Sequence, residues 1–177
     1  VTEEVSLLKQ RVYLSENNVD AAAAEIQKLI DAYPDEINYY GILADTYAAN
    51  GRRAKALEVY EKMQRIDSTN YKVQFSMAEF YRQDGKVDLY KEYIGKAFEN
   101  PEMNIDDKVK YILTFYQVDS KNKEQKQEGI DICEKVTKAH PEDAKSYALL
   151  ADFQYFDNQV TAAKESYIKT ISLDSSR

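Results

Sequence analysis

Apolar and small residues recur along this chain at helical intervals. Tyr40, Leu43, Ala44 and Tyr47 stand at i, i+3, i+4 and i+7, which places them on one helix face. Gly51 follows, suited to the left-handed residue that ends a helix. Ala56, Val59, Tyr60 and Met63 then form a second stripe. The pattern predicts helices over about 36–50 and 53–66, joined as a hairpin. Ala44 and Ala56 are small where paired helices cross; larger side chains would hold them apart.

Similar blocks occur elsewhere. Tyr147, Leu150 and Ala151 precede Ala163 and Tyr167, although Gln154 stands where a tyrosine is usual and Asn158 takes the place of Gly51. Met77, Ala78, Tyr81 and Gly85 open another block, in which Tyr90 replaces the small residue and Gln74 the aromatic one. Ile94 and Ala97 resume the pattern before Pro101, so looser or shifted packing is expected around Tyr90. Tyr111, Ile112 and Phe115, then Gly129, Cys133 and Val136, read as a further pair. The polar stretch 120–125 between them reads as a solvated long turn or extended helix end, or else as a dedicated binding loop. Tyr13, Asn17, Ala22 and Ile26 mark a degenerate block, with Asp20 as its expected cap and Pro34 closing it. Thr69-Asn70 and Asn104 read as caps. The acids after Pro34 and Pro141 suit first helical turns. The chain divides into repeats at about 3–36, 37–70, 71–104, 105–143 and 144–177.

Tyr40-x2-Leu43-Ala44-x2-Tyr47 with Ala56-x3-Tyr60, and Tyr147-x2-Leu150-Ala151 with Ala163-x3-Tyr167, resemble the tetratricopeptide repeat, W-x2-L-G-x2-Y then A-x3-F then P. The resemblance covers the whole chain. It implies an all-α fold, a right-handed superhelix (solenoid) of about five antiparallel helix-turn-helix repeats. It also implies a non-enzymatic scaffold that binds a peptide or protein segment on the concave face lined by the first helix of each pair. The alternative is an assembly or regulatory module of a larger envelope-associated or multidomain protein. The chain starts at Val1 and its last helix, about 161–173, has no polar cap after it. A fragment of a longer chain is therefore expected, or self-association through the C-terminal edge.

Composition narrows the choices. Charged residues are 31% and no apolar run reaches the roughly 18 residues of a membrane helix, so no direct membrane insertion is expected. A net charge of −7 repels phosphate backbones, so nucleic acid is not an expected partner. The compartment stays open: a soluble chain, cytoplasmic, or periplasmic if a leader was removed. Cys133 is the one cysteine and His140 the one histidine. His140 beside Pro141 reads as an exposed helix-end residue and Cys133 as a buried space-filling thiol. No HExxH, CxxC, Walker loop or GxGxxG occurs, and Asp106-Asp107 lacks the spacing of a calcium loop. No catalytic residue, metal or cofactor is expected. Tyr40, Tyr47, Tyr60, Tyr81, Tyr147 and Tyr167 read as core by spacing.

In the family resembled, partners lie along the first helices, on residues beside the packing positions. Here those include Asp45, Phe75, Glu79, Arg82, Val109, Leu113, Tyr116, Leu149, Asp152 and Tyr155. Chaperone-binding members hold a C-terminal carboxylate with Lys, Asn and Arg. Asp45, Glu79 and Asp152 stand where Asn would help, so the expected groove is apolar and selects basic or amide-bearing groups.

Overall fold

The computed structural model describes residues 2–174 and contains ten α-helices among them. They are α1 (Glu3–Ser15), α2 (Val19–Ala32), α3 (Ile37–Ala49), α4 (Arg53–Ile66), α5 (Tyr71–Gln83), α6 (Val87–Glu99), α7 (Ile105–Phe115), α8 (Lys123–Ala139), α9 (Ala144–Phe156) and α10 (Val160–Asp174). The last of the expected repeats runs to residue 177, beyond the described residues. The chain forms two compact units, 1–93 and 94–177, with the division inside α6.

In the first unit α1 packs on α2, α2 on α3, α3 on α4, and α5 on both α3 and α4. Its interior holds Ala22, Ile26, Leu29, Ala44, Ala56, Met63, Met77 and Ala78, with Tyr60 and Phe80 beside them. Removing a Leu- or Ile-sized side chain from water contributes about 1.5–3 kcal/mol each. Tyr40 is half-buried and its hydroxyl donates to the Pro34 carbonyl at 2.9 Å.

The hairpin tips share one geometry. Asn17, Gly51 and Gly85 lie 34 residues apart, and each has positive φ, as does Asn158. At each tip a backbone N–H reaches back five residues: Asn18 to Tyr13 O, Arg52 to Tyr47 O, Lys86 to Tyr81 O and Gln159 to Gln154 O, at 2.8–3.0 Å. This is the Schellman closure, which satisfies a helix-end carbonyl and needs a left-handed residue. Asn70, Asn104 and Asp143 cap the helices that follow them. At α2 the cap is Asn18, whose side chain accepts from Ala21 N at 3.1 Å, and not Asp20. Asp20 instead lies in the first turn and takes a two-pronged bond from Arg52 at 2.5 and 2.9 Å.

In the second unit α7 packs on α8 and α9, α8 on α9, and α9 on α10. The segment 120–125 divides: α8 starts at Lys123, and Asn122 caps it by accepting from Glu124 N and Gln125 N. Ser120 is buried and its hydroxyl donates to Gln125 Oε1 at 2.8 Å. Helix α6 continues without a break through the half-buried Tyr90. Gln154, in the place of a tyrosine, is buried and accepts from Ser166 Oγ at 2.8 Å. Cys133 is fully buried, and burial pushes its thiol pKa up.

His140 is not an exposed helix end. It is half-buried, and its Nε2 lies 2.8 Å from Lys108 Nζ and 3.0 Å from Met103 O. Lys108 is 0% exposed, and its Nζ also donates to Phe98 O at 2.9 Å and Asn100 O at 2.7 Å. The amine thus donates to two carbonyls, and His140 Nε2 either accepts its third N–H, when the imidazole proton is on Nδ1, or donates to Met103 O, when it is on Nε2. The Phe98 and Asn100 carbonyls lie at and just beyond the end of α6, so α7 supplies a cationic cap to that helix. Burial lowers the Lys108 pKa to about 8. Burial and then the neighbouring Lys108 charge lower that of His140.

Two stability measurements check this packing. A Cβ at Gly129 would sit 2.2 Å from Phe153 Cε1, a ring with no exposure, whereas one at Gly41 would meet Met63 Cε at 3.7 Å. Gly129→Ala should therefore destabilise by about 1–3 kcal/mol through overpacking. Gly41→Ala should be neutral or stabilising by up to about 1 kcal/mol, because alanine favours helix. Thermal unfolding followed by circular dichroism distinguishes them. For Lys108 the native state releases its proton near pH 8, while the unfolded chain holds it to about 10.5. Between those values the unfolded state binds more protons, so rising pH favours folding. The stability of the wild type relative to Lys108→Met should rise between pH 7.5 and 9.5 in urea titrations, and the comparison cancels the tyrosines and Cys133. A flat difference would contradict this account.

Candidate functional site

The face formed by α3 and α5 in the first unit carries two adjoining clefts. One, of about 350 Å³, is lined by Asp45, Ala48, Ala49, Tyr60, Phe75, Ser76, Glu79, Phe80 and Gln83. The other, of about 270 Å³, is lined by Ile37, Asn38, Gly41, Ile42, Asp45, Met63, Lys72 and Ser76. Asp45 and Ser76 border both, so the clefts read as one furrow. Asn38 and Lys72 lie at one end, Ala48 and Glu79 at the other, so the two helices run in the same sense along it. From Asn38 to Ala49 the helical rise gives a length of about 16 Å.

The furrow exists because its walls are small. Gly41, Ala48 and Ala49 occupy positions on α3 where longer side chains would fill the space. Buried Phe80 and half-buried Phe75 supply apolar surface. Two carboxylates border it. The exposed Asp45 accepts from the Tyr60 hydroxyl at 2.8 Å. Burial, then the Asp45 charge, raises the Tyr60 pKa, so this hydroxyl stays a donor. Glu79 is half-buried and takes Arg82 Nε and Nη2 at 2.8–3.2 Å. Behind the furrow, Arg53 spans α4 and α5. Its guanidinium carbon lies 4.4 Å from the Phe80 ring centroid, with Nε bonded to Asp84 at 2.7 Å.

The structure thus brings Asp45, Phe75 and Glu79 together at one cleft, with Arg82 beside them on Glu79. In the second unit the expected residues are more dispersed in environment. Leu113 and Tyr155 are each 56% exposed, and Val109 is half-buried. Leu149 is buried and so packs within the unit instead of presenting a surface. Tyr116 is likewise buried, at the C-terminal end of α7. Asp152 is half-buried and accepts from the Tyr167 hydroxyl at 2.6 Å, which lifts the Tyr167 pKa to about 12. Tyr167 is exposed, a correction to its expected core placement, because its ring reaches outward to this acid.

Asp45 with Tyr60 and Asp152 with Tyr167 are the same device in two repeats, each spanning 15 residues from first helix to second. Reading the tyrosines as core residues misses their hydroxyls. The available signal was tyrosine in place of the usual phenylalanine, paired with an acid at a fixed offset. Among the described residues no group of three or more His, Cys, Asp or Glu is placed to hold a metal, and no helix is long and apolar enough to cross a membrane.

Residues 2–71 match the family model of the bacterial transcriptional activator domain. No curated protein matches the sequence. Among solved structures, the chain is similar to the MamA protein, with 14% identity, 97% of this chain and 91% of that chain covered, and a TM-score of 0.51. A MamA double mutant from strain RS-1 gives 13% identity, 98% and 94% coverage, and a TM-score of 0.52. YrrB, described as a TPR protein with an unusual peptide-binding site, gives 17% identity, 95% and 84% coverage, and a TM-score of 0.49. The MamA structures are tetratricopeptide folds, and at these identities the likeness speaks to fold alone. With its paired helices and recurrent left-handed tips, this chain is an all-α helical repeat protein of the tetratricopeptide fold.

Proposed function

We propose that the chain is a non-catalytic scaffold that holds an extended polypeptide segment along its first-helix face. The observation that supports this is the furrow between α3 and α5, about 16 Å long by helical rise and walled by small residues. An extended peptide of about five residues spans that length. Rigid helices hold the furrow open before a partner arrives, which reduces the ordering cost of binding. In the second unit Leu113, Val109 and Tyr155 extend the reading, with Asp152 as the polar element. In this reading no step of covalent chemistry is involved.

A peptide-display library panned against the whole chain tests the proposal. Selected peptides should lose at least about tenfold in affinity on Phe75→Asp, which places an unpaired charge on the apolar wall. Leu113→Asp should weaken those that bind the second unit. Both variants should keep the helical circular dichroism signal, since Leu113 is exposed and Phe75 only half-buried. Peptides that bind equally well to wild type and both variants would refute this face.

A second reading, self-association, draws on α10. Its Val160, Ile168 and Ile171 are 63%, 56% and 64% exposed. Self-association through that face should vanish in Ile168→Glu/Ile171→Glu. Sedimentation velocity showing a monomer for the wild type would exclude it.

A further inference from the structure

We propose that the α3–α5 furrow is dipolar, and that it selects a segment carrying an arginine or lysine about three residues from an acidic side chain. This inference rests on the peptide-scaffold reading and names the chemistry of its ligand.

The wide end is built for a long cationic side chain. Its floor and wall, Phe80 and Phe75, are aromatic, and its mouth carries Asp45 and Glu79. An aliphatic stem can lie on the rings while the charged head reaches the carboxylates. The same unit already holds one guanidinium in this way: Arg53 rests over Phe80 and bonds to Asp84. A divalent metal is a poorer occupant, because it would want six or more oxygens and two carboxylates border the cleft.

The two carboxylates are prepared differently. Asp45 is oriented by a neutral donor, the Tyr60 hydroxyl, which fixes one oxygen without cancelling the charge. Glu79 is held by Arg82 one turn along α5. A solvent-accessible pair at i, i+3 on one helix contributes little net stability, so an incoming cation can exchange with Arg82. Arg82 then acts as a resident competitor that tunes the affinity of the wide end. Tyr60 is a positioning residue for Asp45.

The narrow end adds a cation, with Asp45 at its border with the wide end. Lys72 is exposed there, beside Asn38, seven residues before Glu79 on the same helix. Seven residues of helix rise about 10 Å, which a peptide in the polyproline II conformation spans in about three residues, one full turn that returns side chains three apart to the same face. Hence a basic and an acidic side chain three apart fit both ends at once.

The test uses the whole chain, ¹⁵N-labelled, titrated with blocked tetrapeptides. Acetyl-Glu-Leu-Leu-Arg-amide should shift amides on α3 and α5 and bind at least about fivefold more tightly than the Glu-Leu-Leu-Glu and Ala-Leu-Leu-Ala versions. Glu79→Gln and Asp45→Asn should each cost about threefold to tenfold against the arginine peptide, and Lys72→Ala about threefold. Arg82→Ala should strengthen binding about twofold to fivefold, an outcome that a merely structural role for Arg82 would not give. Raising the salt should narrow the gap between peptides. Equal affinity for the four-residue peptides whatever their charge, with binding still lost in Phe75→Asp, would overturn the dipolar inference and leave the scaffold standing. Amide shifts that Phe75→Asp leaves unchanged would overturn both.

Discussion

The repeat depends on small side chains where helices cross. Ala44 and Ala56 in one hairpin, Ala22, Ala78, Ala151 and Ala163 in others, are all buried. Each lets two backbones approach closely enough for larger neighbours to interlock around them. Gly129 takes this to its limit: it stands 73 residues after Ala56, at the equivalent place in α8, and the Phe153 ring fills the room its missing Cβ leaves. The same economy of side-chain volume opens the furrow. Gly41, Ala48 and Ala49 are small on the α3 surface, and what would be wall becomes accessible space above Phe75 and Phe80. Packing and the shape of the furrow are therefore set by one variable, side-chain volume.

Helix positions were legible in the sequence because two independent signals coincide there. The apolar stripes fix which face is buried, and the left-handed residues fix where each helix stops. Asn17, Gly51, Gly85 and Asn158 recur in phase and all have positive φ. Where the signals disagree, the sequence still gives the element but not its detail. Tyr90 breaks the small-residue pattern, yet α6 runs through it, since a tyrosine, unlike proline, does not break a helix. Asp20 and Asn18 are both competent caps, and only the backbone path decides that Asn18 faces the open N–H.

What pattern reading could not supply was the polar chemistry inside the packing. Lysine is ordinarily a surface residue, so nothing in the periodicity marks Lys108 as fully buried. Its burial follows from tertiary geometry: the end of α6 leaves carbonyls unmet, and a four-carbon stem from α7 is long enough to reach them. His140 sits beside that amine, its Nε2 within hydrogen-bond reach of both Lys108 Nζ and the Met103 carbonyl. The tyrosine hydroxyls were hidden for a related reason. A stripe analysis scores a tyrosine as apolar and loses sight of the oxygen that meets Asp45 or Asp152.

The acids along the first helices are not equivalent, and the difference is one of electrostatics. A hydroxyl donor such as that of Tyr60 or Tyr167 fixes a carboxylate while leaving its charge in the field that a partner meets. A guanidinium such as that of Arg82 fixes Glu79 and cancels that charge at short range. Overall the chain carries a net charge of −7, so any cation is attracted broadly. Broad attraction speeds encounter but does not choose a site. Choice comes from a carboxylate whose oxygen is oriented, next to apolar rings that strip water from the stem of the incoming side chain. The α3–α5 furrow combines those two conditions around Asp45 and Phe75.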